Sequence, residues 1–236
     1  MASWPGAVAA AIMRVALTFD AEHPDSPHCP PGNERSLLDI LGREGVRATF
    51  FLQGRWVMSH PDLARRAADE GHLIGNHSHY HSRMRLLTAE GFRTDVLSAE
   101  KAIADVVGVD PRPWFRLPFG SGHRNSRLTD LLETLGYRSV GWDVDAFDWD
   151  ETRSAKAIES SVLEATLACG AEAIVLMHGW PETTVEALPG IIGGLRERGA
   201  TFCSLDDWPE PPRTTAATPN EGTTLAELEK ERRPRP

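Results

Sequence analysis

The chain has 236 residues, 41% of them hydrophobic, which suits one α/β domain with a substantial core. A formal net charge of -9 excludes the basic stripe of a nucleic-acid binder and offers nothing to an acidic membrane surface, while suiting a neutral or cationic substrate. Three widely spaced cysteines, Cys29, Cys169 and Cys203, make no disulfide framework, and no apolar run approaches the ~18–20 residues of a membrane span.

The N-terminus has no basic start, and Pro5-Gly6 interrupts its alanine-rich run. It does not read as a cleaved secretory signal, so a soluble cytoplasmic protein is expected, without membrane insertion. The first strand is predicted at residues 15–19. A helix follows, with Asn33 as N-cap, Leu37, Leu38 and Leu41 on its apolar face and Gly45 as its stop. Residues 48–52 form the second strand, and the next helix opens on Pro61 and ends at Gly71. A short apolar run at Leu73-Ile74 leads into a histidine-rich segment, and a long helix runs over 88–107 to Gly108.

Residues 114–116 read as a strand and 126–135 as a helix. Strands at 138–142, 173–177 and 201–204 complete a set of seven, with helices near 154–169 and before Gly199. Pro189-Gly190 and Gly193-Gly194 weaken the last helix. Strands and helices alternating at this spacing imply parallel units with right-handed crossovers. The expected fold is α/β, a distorted (β/α) barrel of seven or eight units in a single domain. Residues 1–13 read as an N-terminal extension and 14–208 as the folded domain. Residues 209–236, with six prolines and no sustained apolar face, read as a disordered tail.

Polar residues end five predicted strands. Asp20, in Thr18-Phe19-Asp20-Ala21-Glu22-His23, closes an apolar run where a carboxylate is costly unless paired, though a loop-turn Asp is the blander reading. Glu22 faces the same side if the strand continues. In Asn76-His77-Ser78-His79-Tyr80-His81, His77 and His81 stand four apart, which on a helical turn puts both imidazoles on one face, suited to a divalent metal; His79 points elsewhere. Arg116 before Leu117-Pro118-Phe119-Gly120 needs a carboxylate partner, and the turn after it exposes backbone amides. Trp142 to Asp150 carries four Asp and two Trp, an acidic turn or an aromatic-walled site; the apolar residues between do not match a calcium loop. His178, beside Gly179 and Trp180, is placed either as a proton carrier or as a satisfied core histidine.

In this order the segments resemble the motifs of the NodB-homology polysaccharide deacetylases, carbohydrate esterase family four. Asp145 to Trp149 matches D-x-x-D-W, His77 to His81 matches H-S-x-x-H, Arg116 to Gly120 matches R-x-P-x-G, and Leu176-Met177-His178 matches L-x-H. The resemblance runs from about Val15 to Ser204 and makes 14–208 a catalytic domain. It implies a divalent metal, zinc or cobalt, and an N-acetylated carbohydrate as substrate, hydrolysed by removal of the acetyl group from nitrogen. It further implies Asp20 as general base, Arg116 as its partner, and His178 as general acid oriented by Asp148. His77, His81 and Glu22 are implied as metal ligands. Phe119 would donate its backbone N–H to the developing oxyanion, Leu176 and Trp149 would wall the acetyl pocket, and Trp180 would join the substrate-binding set.

One position departs from the pattern. The family's first motif is commonly T-F-D-D, whose second Asp is a metal ligand, and here that position is Ala21. Glu22, one residue on, is the expected replacement, with His23 another candidate. The shift also resembles a branch hydrolysing small cyclic imides or ureides, which is the alternative reading; an inactive carbohydrate-binding barrel is a third. Cys29 with His23 and His28 reads as a proline-rich loop near the mouth rather than a second metal cluster.

Overall fold

The computed structural model describes residues 13–23, 32–122 and 124–208. The tail over 209–236, the extension before Met13, and the loop with His28 and Cys29 lie outside these residues. In chain order the elements are β1 (Arg14–Ala21), α1 (Asn33–Glu44), β2 (Thr49–Leu52), α2 (Gly54–Ser59), α3 (Pro61–Asp69), β3 (Leu73–Asn76), α4 (Ala89–Val107), β4 (Trp114–Phe115), α5 (Ser126–Thr134), β5 (Arg138–Ser139), β6 (Val144–Asp145), α6 (Ala155–Cys169), β7 (Glu172–His178), α7 (Glu182–Glu197) and β8 (Thr201–Phe202).

The sheet is parallel, in the order β5-β4-β3-β2-β1-β7-β6. Its two end strands, β5 and β6, are consecutive in the chain and joined only by residues 140–143. Four residues reach at most roughly 14 Å, so the sheet must curl until its edges nearly meet. This is the expected distorted (β/α) barrel, with a seam between β5 and β6. The single strand expected at 138–142 is in fact two: the chain leaves the ladder after Ser139, crosses the seam, and pairs again with β7 from Val144. β8 pairs with β1 at Arg14 and Val15, below the stretch from Thr18 where β2 takes over.

Local signals account for the helices. Thr88 and Ser154 cap α4 and α6, accepting from the N–H groups of Gly91 and Ala157, and Gly108 ends α4 in the left-handed region. The cap of α1 is Gly32 rather than Asn33; Asn33 is the first helical residue, and its side-chain amide donates to the Trp180 carbonyl at 2.7 Å. α7 continues through Pro189, carried by burial of Ala187, Leu188, Ile191, Ile192 and Leu195. Helix α2, within a segment with no apolar stripe to announce it, was not expected. No helix among the described residues is long and apolar enough to cross a membrane.

Alternation along the strands decides what faces the barrel interior. Val15, Leu17, Phe19 and Ala21 of β1 pack outward beneath the helices with Phe50, Leu52, Val175 and Met177. Ala16, Phe51, Ile174 and Leu176 point inward, in a cluster with Trp114 and Trp142. Continuing that period, Asp20 and His178 both face inward at the C-terminal ends of their strands, where β/α barrels carry their chemistry. They are direct neighbours in the β1–β7 register.

Candidate active site

Asp20, 4% exposed, is paired as a buried carboxylate must be: Arg116 Nη1 donates to its Oδ1 at 2.8 Å. Arg116 is fully buried, and its Nη2 also donates to Thr18 Oγ1 at 2.9 Å and to the Gly141 carbonyl at 3.1 Å. Its guanidinium lies 4.1 Å from the centre of the Phe51 ring, a cation–π contact at the floor of the site. Burial pulls its pKa down against the opposing pull of Asp20, yet a guanidinium stays charged.

His77 and His81 converge, but not on a helical turn. The segment after β3 is a loop with Ser78 and His81 both at positive φ (66° and 53°). Asn76 Oδ1 accepts the Ser78 N–H, Ser78 Oγ accepts the His81 N–H, and the Asp95 carboxylate accepts the N–H groups of His79 and Tyr80. These bonds replace a helical ladder and fix the turn. The His79 ring packs toward Gly54, away from the site, where any side chain on Gly54 would collide with it.

His77 Nδ1 lies 2.9 Å from the Arg116 carbonyl. A carbonyl only accepts, so Nδ1 carries the proton, and the neutral ring presents a lone pair at Nε2. That atom faces Glu22 Oε2 at 3.3 Å and Asp20 Oδ2 at 3.4 Å. Lone pair against anion is repulsive unless a proton or a metal cation lies between. Burial alone would lower the His77 pKa, but Asp20 and Glu22 outweigh it and raise it. The field that would hold a proton there equally favours a divalent cation.

Glu22, 5% exposed, has only imidazoles as ion-pair partners among the described residues: His81 Nε2 at 2.5 Å, His23 Nε2 at 3.1 Å, His77 Nε2 at 3.3 Å and His178 Nε2 at 3.8 Å. Burial would raise its pKa, but His81 and the neighbouring imidazoles hold it well below the usual carboxylate range. Burial lowers the His81 pKa against the opposing pull of Glu22. A buried anion ringed by imidazoles, with no guanidinium or ammonium among those partners, fits a metal site of nitrogen and oxygen donors. Glu22, His23 and His81 form a metal-capable group whose donor atoms all lie within 4.8 Å of one another; His77 meets Glu22 and Asp20 from the buried side.

On β7, His178 Nδ1 bonds Asp148 Oδ1 at 2.7 Å. The other Asp148 oxygen accepts the His178 backbone N–H at 2.7 Å and the Thr184 hydroxyl at 2.6 Å. Burial would lower the His178 pKa, but Asp148, then Glu22 and Asp20, raise it to about 10, so the ring is protonated at neutral pH. Gly179 follows because a Cβ there would stand 2.9 Å from Glu34 Cγ.

A cavity of about 450 Å³ opens over these groups, lined by Asp20, Glu22, His81 and His178 below and by Phe119, Phe147, Trp149, Leu176 and Trp180 around it. Phe119, Phe147 and Trp149 are 38%, 38% and 49% exposed, an aromatic mouth on a polar floor. Phe119 sits at φ 60° in the Pro118–Gly120 turn, stacked edge-on against His81. Among the described residues, all five non-glycine residues at positive φ (His23, Ser78, His81, Phe119 and Phe147) lie in these strand-end loops, the clustering expected where function holds backbone strain.

Several supporting residues escaped the sequence reading. Asn76, Ser78 and Asp95 shape the histidine loop, and Thr184 fixes Asp148 from the first turn of α7. Asp145 caps the Phe147 turn through the Phe147 N–H, and burial raises its pKa. Ser78 and Asp145 had a visible signal, as the Ser of H-S-x-x-H and the first Asp of D-x-x-D-W.

A parallel β/α barrel with a buried imidazole–carboxylate cluster, and with an Arg–Asp and a His–Asp pair at its strand ends, has the donors to hold a cation and the groups to move protons beside it. The chain belongs to the polysaccharide deacetylase family, whose sequence model matches residues 9–140. Peptidoglycan-N-acetylglucosamine deacetylase PgdA of Listeria monocytogenes is 33% identical over 194 residues, covering 82% of this chain and 38% of the relative; the chain thus spans well under half of that protein. A family 4 carbohydrate esterase from Streptomyces lividans, solved with acetate, superposes with a TM-score of 0.70 at 34% identity over 83% of this chain and 93% of that one. A CE4 family pseudoenzyme from Bacillus anthracis superposes at 0.74 with 27% identity over 86% and 67%.

Proposed function

We propose that this protein is a metal-dependent N-deacetylase acting on N-acetylated amino sugars, with zinc or cobalt as its cation. The observation that carries the reading is Glu22, a buried carboxylate ringed by imidazoles, set between the Asp20–Arg116 and His178–Asp148 pairs. Glu22, His77 and His81 would hold the cation, which when bound would supply Lewis-acid polarisation of the amide and make a neighbouring water more acidic. Asp20, oriented by Arg116, takes a proton from the attacking water. His178, kept protonated by Asp148, delivers one to the departing nitrogen. The Phe119 N–H stabilises the developing oxyanion, while Leu176 and Trp149 enclose the acetyl methyl and Trp180 adds a further wall.

The aromatic mouth supports a sugar substrate over a small cyclic imide, because pyranose faces stack on exposed indole and phenyl rings. Two intact acid–base pairs, each with its orienting partner, argue against a merely binding barrel. The test is acetate release from N-acetylglucosamine oligomers beside hydrolysis of cyclic imides, before and after chelation. Expected are loss on chelation, recovery with zinc or cobalt, and no imide turnover. Acetate release indifferent to chelation, or none from any N-acetylated sugar, would refute the reading.

A further inference from the structure

His23 has no part in the mechanism above, yet its backbone is held at φ 56°, a conformation that a non-glycine residue keeps only where its surroundings impose it. Gln53 does the fixing. Its backbone N–H donates to the Ala21 carbonyl at 3.0 Å, one step past the end of the β1–β2 ladder, and its buried side-chain oxygen accepts the His23 N–H at 2.9 Å. The chain is thereby bent back so that the His23 ring returns over Glu22. Its Nε2 lies 3.1 Å from Glu22 Oε1, and its ring meets His81 edge-on with centroids 4.5 Å apart.

Two donors of one zinc ion, at bonds of roughly 2.0–2.2 Å, stand at most about 4.4 Å apart. The donor atoms of Glu22, His23 and His81 already lie within 4.8 Å of one another. Resting on the metal-dependent reading, we propose that His23 is a direct ligand of the same cation, added on its solvent side. The ligand set then has three imidazoles and one carboxylate. That donor balance favours zinc, cobalt, nickel and copper over magnesium and manganese. With its side chain 35% exposed, against 1% for His77 and 6% for His81, His23 is the donor placed to give way when substrate enters.

The test is metal binding, independent of turnover. Zinc affinity of the full chain is measured by competition with a chromophoric chelator for the wild type, His23→Ala, His23→Gln and His77→Ala, and cobalt-loaded samples give visible spectra. His23→Ala and His23→Gln are expected to weaken zinc at least tenfold, to change the cobalt bands, and to narrow the preference for zinc over manganese. Pulsed EPR of the copper-loaded wild type, which needs no variant to fold, is expected to count three coordinated imidazoles. Two imidazoles, or wild-type affinity and spectrum in both His23 variants while His77→Ala is impaired, overturns the His23 assignment and leaves the metal-dependent reading standing. A wild type with no affinity for any of these cations overturns both.

Discussion

Replacing Asp148 by asparagine changes the charge behind His178 while nearly keeping its shape. The folded His178 pKa of about 10 stands above its ordinary 6.5. A group raised on folding stabilises the fold fully below its unfolded pKa, and that stabilisation is lost as pH rises through the folded one. The window is therefore about pH 6.5 to 10, and at 1.36 kcal/mol per pH unit the proton contributes up to roughly 5 kcal/mol. A cation beside Glu22 would oppose that proton, so the measurement belongs to metal-free protein. Urea unfolding at intervals across the window should show the wild type losing several kcal/mol toward pH 10, and Asp148→Asn losing far less. Subtracting the two curves removes the tyrosines, lysines and cysteines that titrate in the same range. In loaded enzyme the alkaline limb of kcat/KM should move to lower pH in the variant. Identical slopes in the two proteins would show that Asp148 does not hold the His178 proton.

Arg116→Met leaves Asp20 buried without its cation and should cost about 3–5 kcal/mol in urea unfolding, with deacetylation lost; wild-type stability would contradict the pairing described for Asp20. Ser78→Ala removes the acceptor that turns the His81 N–H and should weaken zinc ~10–100-fold in chelator competition, as loss of a ligand's support does elsewhere. Trp149→Ala, at an exposed position, should leave the melting temperature nearly unchanged while raising KM for oligomeric N-acetylglucosamine; a matching loss of stability would make Trp149 a packing residue instead.

The parts of this fold that were legible from sequence are those where one chemical signal decides a local outcome. Thr88 with Gly108 brackets α4, and Ser154 opens α6, because capping is local, and β1 and β7 are apolar runs long enough to be unmistakable. β6 was hidden because Val144-Asp145 is only two residues long, and its pairing with β7 exists only once the sheet has curled. The convergence of His77 and His81 was legible in outcome but not in cause. Spacing suggested a helical turn, whereas the geometry comes from Asp95, on a helix well downstream, which no periodicity links to the histidines. Thr184 was invisible for the same reason, since its hydroxyl matters only through a carboxylate thirty-six positions earlier. Asn33 was misread as a cap because its type favours that role, while a carbonyl brought from the end of β7 claims its amide.

Arg116 has a second consequence beyond its partner carboxylate. The same guanidinium that steadies Asp20 and Thr18 on β1 also grips the Gly141 carbonyl, in the short link where the sheet is left unlaced. A single side chain thus rivets the breach in the wall to β1, two strands in from the β6 edge. Drift in the Asp20 carboxylate and loosening of the barrel are bound together through that one side chain.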